Sequence, residues 1–259
     1  MDEPILVTEK TGGVMVLRMN RPEARNALSP DLMAALGRAF KESEEDDEIR
    51  CLVLTGTGDR AFCAGMDLRA FSEGTRPSPE DEEAIGYFRQ FFGGPGSSLP
   101  VIGAAQATAV AGGFELLLAC DLVVAADNAQ FGVPEVKRGL FAAGGGVYLA
   151  SRIPLAMALE LTLTGDYIDA ARAHSLGLVN RVVPAAEVVP TAVALAESIA
   201  RNGPLALKVT REIVRASAED MARARSLLVE WQPKVFGSED AKEGAMAFIE
   251  RRDPVWKGR

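Results

Sequence analysis

The chain has 259 residues, 48% hydrophobic and 25% charged, a composition typical of a soluble globular protein that can bury one large core. Its 28 basic and 36 acidic residues give a net charge of −8, which argues against nucleic-acid or membrane-surface binding. Three cysteines without a Cys-x-x-Cys pair argue against a disulfide framework. The acidic N-terminus carries no apolar leader and no run is long enough to span a membrane, so we expect a cytoplasmic protein.

Strands and helices alternate in the first part of the chain. Residues 5–9 and 14–19, separated by a glycine pair, predict a β-hairpin. Ser29 and Pro30 predict the start of a helix that runs to about residue 45, with Ser29 as the N-cap. The continuous apolar run at residues 51–55 predicts a strand that is buried on both faces.

Residues 100–146 predict a strand, a glycine turn, a helix, a second strand and a loop. Gly112 and Gly113 precede the helix, where they allow close approach of a ligand and leave backbone N–H groups unpaired. Glu115 lies in the first turn of that helix, and Glu135 follows Pro134. Backbone donors and two carboxylates are the groups needed to form and protonate an enolate. Helix-dipole stabilisation at Glu115 and a surface ion pair at Glu135 are the alternatives.

Helices alone are predicted near the C-terminus, at residues 187–201, 204–217, 219–236 and 239–251. This change of pattern divides the chain softly into a core at 1–185 and a helical region at 186–259. We find no internal repeat and no low-complexity segment.

The sequence lacks the residue patterns that several common catalytic mechanisms require. The single histidine, His174, lies in a helical stretch away from the glycine-rich centre and is more typical of a helix end than of a catalytic base. No serine nucleophile elbow, phosphate-binding loop or dinucleotide-binding glycine motif occurs, and no residues cluster at metal-ligand spacing. Cys63 beside a glycine is better interpreted as a small buried residue than as a nucleophile.

Four segments, in this order, resemble the enoyl-CoA hydratase/isomerase (crotonase) superfamily. They are residues 20–28 (NRPEARNAL), 61–68 (AFCAGMDL), 100–121, and 129–135 (AQFGVPE) followed by Gly139 and Gly144–Gly146. The terminal segment at 248–254 (FIERRDP) is similar to the closing helix of the family. Together they cover most of the chain.

The resemblance implies an α/β fold, a spiral of ββα units with a C-terminal helical trimerisation region, assembled as a homotrimer or homohexamer. It also implies an acyl-CoA thioester substrate, with coenzyme A as part of the substrate and with no separate cofactor and no metal. The backbone N–H groups of Met66 and Gly112 would form the oxyanion hole. The coenzyme A part would be bound along residues 26–28 and 64–68, at Arg25 (a phosphate contact), Ala27, Ala64 (near the adenine), Gly65, Asp67 and Leu68.

Glu115 and Glu135 fall on the two positions that are glutamates in hydratases of this family. Addition of water to a 2-enoyl thioester needs water activated at C3 and a proton delivered at C2, which one ionised and one protonated carboxyl can supply. We assign Glu135 to the C2 proton and Glu115 to the water. A 3-enoyl to 2-enoyl isomerase, a carnitinyl-CoA-type dehydratase and a non-catalytic acyl-CoA-binding protein are the alternatives.

The sequence departs from the family pattern at four places. Ala111 replaces a glycine, Gln106-Ala107 replaces Asn-Gly, Met66 replaces an alanine common in hydratases, and Ala142-Ala143 replaces a Pro-Gly that helps to hold the catalytic water. We expect these departures to affect the substrate and the rate more than the reaction class.

Overall fold

The structure is a computed structural model that describes residues 3–75, 77–93 and 96–259. Its strands are β1 (Leu6–Thr11), β2 (Val14–Met19), β3 (Cys51–Gly56), β4 (Val101–Ala105), β5 (Ala109–Val110), β6 (Leu122–Ala126), β7 (Gln130–Gly132), β8 (Ile168–Asp169) and β9 (Arg181–Val183). Its α-helices are α1 (Pro30–Glu45), α2 (Leu68–Ser72), α3 (Glu82–Gly93), α4 (Gly112–Ala119), α5 (Leu155–Thr164), α6 (Ala170–Ser175), α7 (Val188–Ala200), α8 (Pro204–Glu219), α9 (Met221–Phe236) and α10 (Glu239–Glu250). Short 3-10 turns connect several of them.

The main sheet has the strand order β1-β2-β3-β4-β6-β9 in the described ranges. The predicted hairpin is confirmed: β1 and β2 pair antiparallel, and the other neighbours pair parallel. Every residue of β3 and β4 is buried, as the continuous apolar run of β3 predicted. Parallel strands with covered faces need such apolar runs, because neither face reaches water.

The helix predicted after Ser29 begins and ends as expected. The Ser29 hydroxyl accepts a hydrogen bond from the backbone N–H of Leu32 at 3.3 Å, and Pro30 occupies the first position of α1. Leu32, Leu36 and Phe40 are almost fully buried on one face of this helix. The spacing of four residues places them on the stripe that packs on the core.

A second, smaller sheet has the order β5-β7-β8 and positions the site. β5 pairs parallel with β7, with Ala109 opposite Phe131 and Val110 opposite Gly132. An isolated parallel bridge joins Cys63 to Ala109, so the segment at residues 61–68 runs alongside β5 as well. Parallel neighbouring segments end at the same edge of a sheet. The segment at residues 61–68, β5 and β7 therefore all end at one edge of the small sheet.

Helix α7 packs across β2, β3, β4 and β6 of the main sheet, although it follows the division predicted at residue 185. Val188, Ala192 and Ala196 are fully buried at intervals of four residues, which directs one face of α7 onto the sheet. The division into 1–185 and 186–259 stays a prediction. The helix α7 itself packs as part of the core. No helix in the described ranges is long and apolar enough to cross a membrane.

Candidate active site

Three chain segments meet at the end of the small sheet. The bridge between Cys63 and Ala109 and the pairing of Ala109 with Phe131 set one common register. Three residues after each of these partners, Met66 lies beside Gly112. Both residues lie towards the turn that carries Glu135. A second bridge, between Leu28 and Met66, adds the loop before α1.

Two backbone N–H groups at this edge have no acceptor in the part of the chain that the structure describes. Within the described ranges, neither the N–H of Met66 nor the N–H of Gly112 donates a hydrogen bond. Gly112 is the first residue of α4, where an N–H has no partner within the helix. A Cβ built on Gly112 would lie 3.6 Å from the Met66 nitrogen, so the two donors are neighbours.

Glycines permit this close approach. A Cβ on Gly113 would lie 2.0 Å from the carbonyl oxygen of Cys63, far inside any contact that a real Cβ makes. A Cβ on Gly65 would lie 2.8 Å from that of Ala111 and 3.0 Å from the nitrogen of Gly112, and Gly65 has a φ of +90°. Both positions therefore require glycine for the segments to meet.

Glu115 is 4% exposed, and its carboxylate is held by the glycine-rich loop. Its Oε1 accepts a hydrogen bond from the N–H of Gly146 at 2.8 Å. Burial raises the pKa of the Glu115 carboxyl above its ordinary 4.5, and the charge of Glu135 raises it further. The N–H groups of Gly146, Gly144 and Gly145 act in the opposite direction and favour the ionised form.

Glu135 lies in the 3-10 turn Pro134–Arg138 that follows β7. Its Oε2 is buried and has no hydrogen-bond partner among the described residues. Burial raises the pKa of the Glu135 carboxyl above 4.5, and its own backbone N–H and the charge of Arg138 only partly offset this effect. The two carboxyls thus differ: backbone donors favour the ionised form of Glu115, and Oε2 of Glu135 lacks such donors.

The segments predicted to bind coenzyme A are held together by Arg21, which the sequence did not single out, and by Asp67, which it did. The Arg21 guanidinium donates to the carbonyl of Ala27 at 2.6 Å and to Asp67 at 3.0 Å. Asp67 also accepts from the backbone N–H of Arg69 and Ala70 at the start of α2. Burial acts to raise the pKa of Asp67, but the Ala70 N–H and Arg21 outweigh it and lower that pKa. The Asp67 carboxylate is therefore engaged within the protein.

Asn26 also holds these segments together, and it is fully buried. Its side chain accepts from the N–H of Arg21 and donates to the carbonyls of Thr57 and Ala61, each at 3.0 Å. The positive φ of Asn26, +53°, turns the chain so that its amide points inward. The asparagine in the segment at residues 20–28 was a sequence signal for this positive φ, since asparagine is one of the few residues that tolerate this conformation.

The other predicted coenzyme A contacts differ in exposure. Arg25 and Leu68 are exposed, and no hydrogen bond or ion pair of the Arg25 side chain occurs within the described residues. Ala27 and Gly65 are buried, so they can offer only backbone atoms to a ligand, and Ala64 is partly buried.

His174 and Cys63 take no part at this edge. His174 Nδ1 lies 2.8 Å from the carbonyl oxygen of Val179, at the end of α6. Burial raises the pKa of the Cys63 thiol to about 12, which leaves no thiolate at neutral pH. Within the described ranges, no group of three or more His, Cys, Asp or Glu side chains could hold a metal ion.

The departures from the family pattern have local structural effects. The Gln106 amide accepts from the N–H of Gly56 and donates to the carbonyls of Gly58 and Ala61, so it fixes the loop before the segment that carries Met66. Ala111 has φ +52° and ψ −135°, a conformation that strains any residue with a Cβ. Ala142 packs its methyl group towards Gly146, the residue that donates to Glu115.

The chain was compared with known proteins. Residues 9–259 match the enoyl-CoA hydratase/isomerase family. A protein named carnitinyl-CoA dehydratase from Proteus mirabilis is 39% identical over 254 residues, covering 96% of each chain. A protein named enoyl-CoA hydratase EchA19 from Mycobacterium tuberculosis is 39% identical over 264 residues, covering 99% of this chain and 97% of its own. A crystal structure of an enoyl-CoA hydratase from M. tuberculosis H37Rv superposes with a TM-score of 0.88 at 43% identity, covering 99% of this chain and all of that one.

These matches confirm the superfamily and the fold that the four sequence segments predicted. The chain belongs to the enoyl-CoA hydratase/isomerase (crotonase) family and is an enzyme of the hydro-lyase type.

Proposed function

We propose that the protein adds water reversibly to a 2-enoyl-CoA thioester to give a 3-hydroxyacyl-CoA. The observation that carries the proposal is the meeting of the buried carboxyl of Glu115 and the partly buried carboxyl of Glu135 with two N–H groups that have no acceptor among the described residues, at one sheet edge. The substrate is an acyl-CoA thioester, and coenzyme A enters as part of it. The mechanism uses the side chains and backbone groups of the protein itself.

The N–H groups of Met66 and Gly112 are proposed to bind the thioester oxygen. Negative charge develops on this oxygen as water attacks C3, and the N-terminus of α4 contributes its dipole. Loss of one such donor typically costs about 3 kcal/mol of barrier. Met66 is fixed by its backbone bridge with Leu28 and Gly112 by its place at the start of α4, so both donors need little rearrangement when the charge forms.

The two glutamates take different roles in the proposal. Glu115, supported by the N–H of Gly146, acts as the carboxylate that orients water and accepts its proton. Glu135 has a raised pKa and an unpartnered Oε2, so it is suited to carry a proton and deliver it to C2 of the enolate. The charge of Glu135 raises the pKa of Glu115, so the pair is suited to share one proton.

The alternatives use parts of the same site. A double-bond isomerase typically needs one carboxylate, and the second glutamate favours the hydratase. A non-catalytic acyl-CoA-binding protein would not need either carboxyl buried. A carnitinyl-CoA-type dehydratase is a substrate variant of the proposed reaction, supported by the relative from P. mirabilis.

Crotonyl-CoA hydration in ¹⁸O-labelled water tests the proposal. We expect 3-hydroxybutyryl-CoA with one labelled oxygen, and the reverse reaction from the hydroxyacyl thioester. A 3-enoyl-CoA and a carnitinyl-CoA are run in parallel. Rapid conversion of the 3-enoyl-CoA without label incorporation would favour the isomerase, and binding of every thioester without turnover of any would favour the non-catalytic alternative.

We also propose assembly as a homotrimer or homohexamer through the C-terminal helices. Large apolar side chains on α9 and α10 are exposed in the single chain, namely Val229 (75%), Phe236 (77%), Phe248 (85%) and Ile249 (72%). Contiguous exposed apolar residues are typical of subunit interfaces. Light scattering at low micromolar concentration tests this: a monomer mass would contradict it. A cytoplasmic location stays a prediction.

A further inference from the structure

A cavity of about 860 Å³ adjoins the proposed site on the side of Glu115. Its walls are the end of α3, the last turn of α4, the loop at residues 144–152 and one face of α8. Glu115, Gly144 and Gly145 belong to its lining, so it begins where the reacting carboxylate lies. Because Glu115 is proposed to direct water to C3, that proposal places the group attached to C3 of the enoyl thioester on this side of the site.

Basic side chains outnumber acidic ones in this cavity. Five basic residues line it, at Arg152, Lys208, Arg211, Arg215 and Arg223, against three acidic residues, at Glu44, Glu115 and Glu212. Two N–H or O–H donors already satisfy Glu44, since Ser97 Oγ and the N–H of Ser98 each donate to it at 2.8 Å. With Asp121, which pairs with Arg211 and Arg215, four acidic residues stand against the five basic ones, so the cavity keeps an excess of one positive charge in a chain whose net charge is −8.

The guanidinium groups are only partly neutralised. Arg211 and Arg215 share a single carboxylate, Asp121, at 2.7–2.8 Å. Arg215 also caps the carbonyl of Ala119 at 2.8 Å. The Nη2 of Arg211 is buried with no hydrogen-bond partner among the described residues. A buried donor of this kind costs stability unless a ligand accepts from it.

Arg152, like Lys208 and Arg223 in the same lining, is a cationic group without an ion pair among the described residues. Its side chain makes no hydrogen bond or ion pair within the described ranges and borders the open cavity. Partial burial of the guanidinium and the nearby charge of Arg215 lower its pKa, and the charge of Asp121 acts in the opposite direction, although the residue as a whole is exposed. Two guanidiniums that repel each other across a cavity favour an anion between them.

We propose that this cavity binds a carboxylate at the far end of the acyl chain, so that the enzyme prefers ω-carboxylated 2-enoyl-CoA substrates. The inference rests on the proposed hydratase function. Ala119, which Arg215 caps, lies one helical turn from Glu115, about 6 Å along α4. An acyl chain of medium length is thus needed to reach the basic groups. A trimethylammonium end, as in carnitinyl-CoA, is disfavoured by the same charges.

The test compares 2-octenoyl-CoA with its ω-carboxylated counterpart and with crotonyl-CoA. We expect kcat/KM to favour the carboxylated substrate by about tenfold or more, the effect of one charge-assisted hydrogen bond. Arg152→Gln should lower kcat/KM for the carboxylated substrate at least about tenfold more than for 2-octenoyl-CoA. Arg152→Glu should reverse the preference, towards a trimethylammonium-ended thioester. Lys41→Gln, a basic residue on α1 outside the cavity, is the matched control and should keep the wild-type ratio.

The outcomes separate the two proposals. If the neutral thioesters are hydrated but the carboxylated one is not preferred, the inference fails and the hydratase function stands. If none is hydrated, the hydratase function fails and the inference falls with it. If Arg152→Gln weakens all CoA thioesters equally, and this loss disappears with 3′-dephospho-CoA thioesters, the cavity binds the coenzyme A phosphate and the inference is overturned.

Discussion

Gly113→Ala should separate the two segments that carry the proposed oxyanion donors. The added Cβ would lie 2.0 Å from the carbonyl oxygen and 2.6 Å from the carbonyl carbon of Cys63. These are backbone atoms, so no side-chain rotation relieves the clash, and the start of α4 must move away by about 1 Å. Overpacking of this kind costs about 1–3 kcal/mol of stability. A displacement of about 1 Å at a reacting centre costs about 100-fold in rate.

The assay is the loss of enoyl absorbance with crotonyl-CoA, measured with a thermal unfolding curve for each protein. Gly86→Ala is the matched control, because a Cβ there has nothing within 4 Å and the residue lies on the exposed face of α3. We expect this control to keep full activity and to gain about 0.5–1 kcal/mol of stability. A Gly113→Ala protein with wild-type activity and stability would refute the close packing on which the site depends.

Three further predictions follow from side chains of the site. Ala111→Gly should raise the free energy of unfolding by about 0.5–2 kcal/mol, because glycine removes the strain at φ +52°, whereas Ala218→Gly on exposed α8 should lower it by about 1 kcal/mol. Equal losses in the two would contradict the strain. Arg21→Ala should raise KM for acyl-CoA more than it lowers kcat, since it unties the two segments proposed to bind coenzyme A, and Lys41→Ala at an exposed ion pair should change neither. Burial raises the pKa of Glu135 above 4.5, so its contribution to stability is present below pH 4.5 and is lost as the pH rises. Glu135→Gln should therefore raise the melting temperature relative to wild type at pH 7 but not at pH 4; an equal effect at both values would exclude the raised pKa.

The regular elements were readily predicted because their signals are local. The Ser29-Pro30 start of α1 and the apolar run of β3 each depend on one segment, and the structure has them at the predicted positions. The glycine pair, predicted to precede a helix, forms the first two residues of α4, and the close approach predicted there is confirmed by the 2.0 Å distance at Gly113.

The small sheet was not predicted as strands. β5 and β8 have two residues each, too few to show any periodicity in the sequence. Their pairing depends on partners more than 20 residues away, such as Ala109 with Phe131. Yet this sheet sets the register that brings Met66, Gly112 and Glu135 to one edge.

The sequence placed Asn26 along the coenzyme A part, but the structural roles of Arg21 and Asn26 were missed. Arg21 and Asn26 stood within a quoted motif, but only the folded loop shows that they join residues 57, 61 and 67. The basic cavity draws on α8, some 60 residues beyond the glycine-rich loop. Charged residues separated by this much sequence cannot be recognised as one cluster from the sequence alone, because only the packing of the helix brings them together.

The most direct test of the central claim is the rate of enoyl-CoA hydration in wild type, Glu115→Gln and Glu135→Gln. Binding of a saturated acyl-CoA is measured on each protein, to separate chemistry from folding. The two-carboxylate account predicts that each variant binds the thioester within a fewfold of wild type and loses about 100- to 10,000-fold in kcat. If either variant hydrates crotonyl-CoA at the wild-type rate, that glutamate does not act in the reaction and the account is wrong.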